Sequence, residues 1–117
     1  MPDLLRFDET TADIVNDYGV HDTRSVHLGS GSGPSHLYVL HFAPGGFIGP
    51  HETGFGQLFA VTSGEAWVDI EGDRVDVPSG QAVAIPRGVQ HSKGSVNGAM
   101  VVMVQILDLE GSSTVES

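Results

Sequence analysis

Residues 80–91 read GQAVAIPRGVQH, and the fold turns on how they are read. The apolar run Ala82–Ile85 has Pro78-Ser79-Gly80 in front of it and Pro86-Arg87-Gly88 behind it. Proline cannot donate to a sheet ladder, so Pro86 ends a strand. Glycine takes a positive φ at little steric cost, so Gly80 and Gly88 suit turns. On a strand of this register Val83 and Ile85 share one face. His91 follows just past the turn.

The same grammar extends outward on both sides. SHLYVLHFA (35–43) stops at Pro44-Gly45-Gly46, and QLFAVTS (57–63) stops at Gly64. EAWVDIE (65–71) alternates until the expected hairpin turn Gly72-Asp73. RVDV (74–77) precedes the Pro78-Ser79-Gly80 break, and AMVVMVQILDL (99–109) follows the Asn97-Gly98 turn. Short strands with regular turn signals predict an all-β sandwich or barrel. Before residue 35 the pattern is mixed. Thr10 or Thr11 is expected to cap a short helix through Ala12, Ile14 and Val15, ending near Gly19. GSGSGP (29–34) reads as a flexible loop. The domain reading is an N-terminal segment (1–34) packing on a barrel (35–110), then a polar, flexible tail (111–117).

Two spaced motifs give this pattern a name. Gly80, Pro86, Gly88 and His91 fit G-x5-P-x-G-x2-H-x3-N, with Ser95 in place of the asparagine. Upstream, GGFIGPHETGFGQLFAVTSG (45–64) follows G-x5-H-x-H-x(3,4)-E-x6-G. Gly45, His51 and Gly64 are in place, Thr53 replaces the second histidine, and Gln57 replaces the glutamate. The chain therefore resembles the cupin family, which implies a jelly-roll β-barrel and, by sheet packing, a homodimer. In that family the motif histidines and glutamate hold one divalent metal. Carried over, the resemblance leaves His51, Gln57 and His91 as metal ligands. Imidazoles suit Fe, Mn, Ni, Cu or Zn unequally, and losing the carboxylate should weaken any such site.

Other residues are expected around that centre. Thr53, Phe59, Val83 and Ile85 are assigned to the pocket, with Gln105 from the last strand. On strand 35–43 His36 and His41 lie on opposite faces, so one of them points inward. His41 is carried as a pocket residue, and which of the two faces the barrel stays open at this point. Arg87 is read either as an anion contact or as an exposed rim residue. Tyr38, Phe42 and Trp67 are candidates for the apolar face of a dimer.

Composition narrows the partners. The chain has 117 residues, 15 acidic and 5 basic, for a formal net charge of -10. The basic residues Arg6, Arg24, Arg74, Arg87 and Lys93 form no run, which argues against nucleic acid and against an anionic membrane. There is no cysteine, so neither a disulfide nor a thiolate metal site can form. No secretory signal pattern is visible at the N-terminus, and a cytoplasmic location is expected. The functional expectation is a barrel that binds a divalent metal, a small organic ligand, or both, with dioxygenase- or isomerase-type chemistry if it is an enzyme. The alternatives are a non-catalytic small-molecule binder with a degraded or empty metal site, and a purely structural dimer.

Overall fold

A computed structural model describes residues 3–19 and 21–110, so the expected tail at 111–117 lies outside the described residues. Among the described residues the strands are β1 (Leu4–Arg6), β2 (Asp13–Ile14), β3 (Arg24–Ser25), β4 (Ser30–Phe42), β5 (Phe47–Glu52), β6 (Gly56–Ile70), β7 (Asp73–Pro78), β8 (Gln81–Ile85), β9 (Gln90–Gly94) and β10 (Ala99–Glu110). One face of the barrel runs β1-β8-β6-β10-β4. The other face is built where β6 also pairs with β7 and β9, and β9 with β5. Every pairing is antiparallel. This is the all-β architecture that the turn spacing predicts.

The longest strand departs from expectation and makes the barrel. Residues 57–63 and 65–71 read as two strands with a turn at Gly64, whereas β6 runs through it. Its first half pairs with β8 and β10, and its second half with β7 and β9. Gly64 is the corner between them, at φ 76°. A Cβ there would lie 2.3 Å from the Gly98 carbonyl oxygen. The chain can pass only without a side chain, so the glycine bends a strand rather than ending one. The hairpin from β6 to β7 turns on Glu71-Gly72, one residue earlier than expected, because Ile70 pairs with Asp73.

The N-terminal readings also need correction. Asp8, rather than Thr10 or Thr11, caps the local helical turn by accepting from the Thr10 N–H at 3.0 Å. The turn is a single 3-10 turn over Glu9–Thr11, and Asp13–Ile14 then extends to pair with Arg24–Ser25. Few apolar residues recur at helical spacing here, so nothing favours a longer helix. Residues 30–34, read as loop, begin β4 and pair with the end of β10. Cross-strand partners override the weak β preference of glycine and serine.

The core lies between the two faces. Phe59, Val61, Ala66, Val68, Val77, Val83, Ile85, Val101 and Met103 form one buried cluster. Phe42 reaches it, its ring centroid 6.3 Å from that of Phe59. A second cluster on the outer side joins Leu5, Leu58, Ala60 and Ala82, with Phe7 and Leu28 packed over it. Burying Leu5 explains why β1 joins the edge at β8. Trp67 is half-buried, with the Arg74 guanidinium carbon 3.8 Å from its ring centroid. Among the described residues no helix is long and apolar enough to cross a membrane.

Candidate functional site

β9 carries His91 and Lys93 two residues apart, so strand alternation turns both to one face. That face is the interior, since each is only 1% exposed. In register with His91 stand His51 on β5 and Ile70 on β6, and with Lys93 stand Ile48 and Val68. Between Ile48 and His51 the pairing shifts, with Gly49 and Pro50 set against Ser92. The extra residue brings Ile48 and His51 to the same side although they are three apart. Gln57, also 1% exposed, comes from the first half of β6.

The four polar side chains form one cluster. Lys93 Nζ donates to Gln57 Oε1 at 2.7 Å and to His91 Nε2 at 2.9 Å. The His51 and His91 ring centroids are 4.6 Å apart. An ammonium has only donors, so His91 accepts through Nε2 and carries its proton on Nδ1, which faces the Val89 carbonyl at 3.5 Å. His51 Nδ1 donates to the Gly49 carbonyl at 2.8 Å, which turns Nε2 away from that carbonyl. Each ring is thus held by the carbonyl two residues before it.

Burial sets the electrostatics. It pulls the Lys93 ammonium down from the ordinary 10.5 to about 8, with no carboxylate to offset it. His91 falls from 6.5 to about 4, first through burial, then through the positive charge of Lys93, with His51 acting the same way more weakly. The contact to Val89 opposes this. At neutral pH the cluster is therefore an ammonium held by a neutral imidazole and a neutral amide.

The expected metal ligands His51, Gln57 and His91 do come together, but the arrangement does not suit a metal ion. Two of the three donor atoms already point at the ammonium. A dication about 4 Å from it would be repelled by on the order of 8 kcal/mol at an effective dielectric near 20. Among the described residues no carboxylate is paired with the ammonium. Among the described residues no three His, Asp or Glu side chains cluster as a metal site would need.

The remaining expected residues fall in several places. Phe59, Val83 and Ile85 face inward and are wholly enclosed in the core. Gln105 is half-buried on β10, in register with Gln57 on one side and His36 on the other. Its neighbour His36 stacks edge-on to Phe55 at 5.3 Å. His41, carried as a pocket residue, is exposed on the alternate face of β4, with Leu37 and Val39. Alternation fixes this, because Phe42 takes the inward place beside it. Thr53 is past the end of β5 and serves the loop: its hydroxyl accepts from Phe55 N–H at 3.2 Å, and its carbonyl accepts from Gly88 N–H at 2.9 Å. Ser95 locks the next turn, donating to the Glu65 carbonyl at 2.6 Å and accepting from Gly98 N–H at 2.8 Å. Arg87 is exposed and pairs with Asp108 at 3.3 Å.

Lys93 is the residue that sequence reading missed, since it enters there only as one of five basic residues that form no run. The signal was the spacing His91-Ser92-Lys93, which on a strand puts the lysine beside the histidine. A surface cleft of about 300 Å³ abuts the cluster, lined by Pro50, Asp69, Glu71, Gly72, Gln90, His91 and Ser92.

Comparison with known proteins then decides the family. Residues 38–106, more than half of the chain, match the family model described as Cupin domain. The chain is a cupin. Among solved structures, a cupin-like protein from Thermotoga maritima is 25% identical at a TM-score of 0.60, over 70% of this chain and 68% of that one. A cupin superfamily protein from Desulfitobacterium hafniense is 14% identical at 0.62, over 78% and 84%. A conserved protein of unknown function from Streptococcus pyogenes is 23% identical at 0.61, over 64% and 66%. No curated protein matches the chain. The cupin family and its jelly-roll fold, expected from the two motifs, are thus established for this chain.

Proposed function

We propose that this cupin is a non-catalytic binding protein for a small organic molecule bearing a carboxylate, which it grips at the Lys93 end of the barrel. The observation that carries this reading is a buried cation whose two hydrogen-bond partners are both neutral. An uncompensated buried charge is costly, and a counter-ion relieves that cost. An ammonium has three N–H groups, and Gln57 and His91 take two. The third suits an oxygen of the ligand. His51, half-buried beside His91, is the most exposed member of the cluster, and the neighbouring surface cleft reaches the cluster at His91. The net charge of -10 gives an anion no long-range attraction. Recognition therefore falls to the local ammonium, and added salt should not weaken it as it weakens steered binding.

The test is a thermal-shift screen of small mono- and dicarboxylates, each paired with its neutral amide, on wild type and Lys93→Met. The reading expects carboxylates to raise the wild-type Tm, their amides to do so far less, and Lys93→Met to respond to neither. Equal stabilisation by acid and amide, or an undiminished response in Lys93→Met, would refute it.

A further inference from the structure

The geometry points to a second role for Lys93, independent of whether a carboxylate ligand binds: we propose that its ammonium is a built-in substitute for a metal ion and that this one side chain keeps the His51–Gln57–His91 set metal-free. The atoms a cation would need are the atoms the lysine uses, Gln57 Oε1 at 2.7 Å and His91 Nε2 at 2.9 Å. The rest of a metal-binding arrangement is retained around it. Both histidines have Nδ1 turned to the backbone carbonyl two residues upstream, the outer contact that fixes a ligating imidazole with Nε2 free. The amide and the two rings converge from three strands, β5, β6 and β9. Lys93 cannot swing away to solvent, because it is 1% exposed and its strand is paired on both sides, to Ile48 and to Val68.

Removing the lysine should therefore open a cation site without building anything new. The experiment is calorimetric titration of untagged protein with Zn²⁺, on wild type, Lys93→Met, and Lys93→Met with His91→Ala. Wild type should show no zinc site that depends on His91. Lys93→Met should bind zinc tighter than wild type by at least about a hundredfold, and adding His91→Ala should abolish the gain. Zinc that survives in the double variant is at other histidines and does not count. The proposal is overturned if wild type binds zinc as tightly as Lys93→Met through His91, or if folded Lys93→Met gains no affinity. Should Lys93→Met fail to fold, ¹⁵N NMR of the wild-type imidazoles decides. The His91 Nε2 resonance should stay that of an acceptor nitrogen in excess zinc, and a zinc-dependent shift or broadening would overturn the proposal. A carboxylate screen that fails while this titration succeeds would remove the ligand reading and leave the metal substitution standing.

Discussion

Replacing Lys93 with methionine should change how stability depends on pH, and the size of the change follows from the site. Methionine keeps the unbranched apolar stem, one atom shorter, and removes the charge. In the folded wild type, burial lowers the ammonium from 10.5 to about 8. Between those values the unfolded chain binds the proton and the folded chain does not, so stability rises with pH across that window. The full span corresponds to about 3 kcal/mol, and about 2 kcal/mol of it appears between pH 7 and roughly 9.5. Groups common to both proteins cancel in the difference. Urea unfolding of the two proteins at several pH values across that range measures it. The difference in unfolding free energy, wild type minus Lys93→Met, should grow by about 2 kcal/mol toward the alkaline end. A difference that stays flat would mean that the ammonium is hydrated in solution, and the buried cluster would be refuted with it.

On the acid side His91 gives the opposite flank. Its folded value of about 4 against 6.5 means that the unfolded chain takes the proton first, so stability falls as pH drops from 6.5 toward 4, by on the order of 3 kcal/mol. His91→Gln should flatten that limb in a urea series run between pH 6.5 and 4, and an unchanged slope would place the ring in water. Gly64→Ala should destabilise by at least about 2 kcal/mol, because the new methyl meets the Gly98 carbonyl oxygen at a positive φ; wild-type stability in that variant would deny the corner in β6. Phe59→Ala should cost about 3–5 kcal/mol as a fully buried aromatic. Arg87→Ala, which loses only an exposed pair to Asp108, should stay within about 1 kcal/mol of wild type.

Much of the fold was legible because turns and strand periods are local signals. Gly45, Gly80, Pro86 and Gly88 mark strand ends that hold in the barrel, and Val83 and Ile85 share an inward face as alternation requires. What was not legible depends on contacts distant in sequence. Gly64 carries the same turn signal as Gly72, and only the approach of Gly98 makes it a corner inside one strand. Serine and glycine at 30–34 have little strand preference of their own and are ordered by the end of β10. At the site, alternation left His36 and His41 symmetric; packing of Phe42 against Phe59 puts His41 on the outer face, and His36, on the Phe42 side but further along β4, is exposed as well, so neither enters the barrel interior. Lys93 was hidden for a related reason. A lysine is so seldom buried that its position within a histidine-bearing strand was outweighed by its residue type.

The departures from the metal-binding pattern become coherent once Lys93 is placed among them. A glutamate beside a divalent ion would carry a net charge of one positive unit, and Gln57 beside the Lys93 ammonium carries the same. Restoring the glutamate alone would therefore not restore a metal site. Gln57→Glu in wild type would set a carboxylate against the ammonium and form a buried ion pair, which would hold the lysine in place more firmly. It should raise the Lys93 pKa from about 8 toward its ordinary range and erase the alkaline rise in stability. Only Gln57→Glu combined with Lys93→Met should bind zinc more tightly than Lys93→Met alone, since the carboxylate then faces the cation with no competitor. If Gln57→Glu by itself created a zinc site, the ammonium would not be what occupies the cation position.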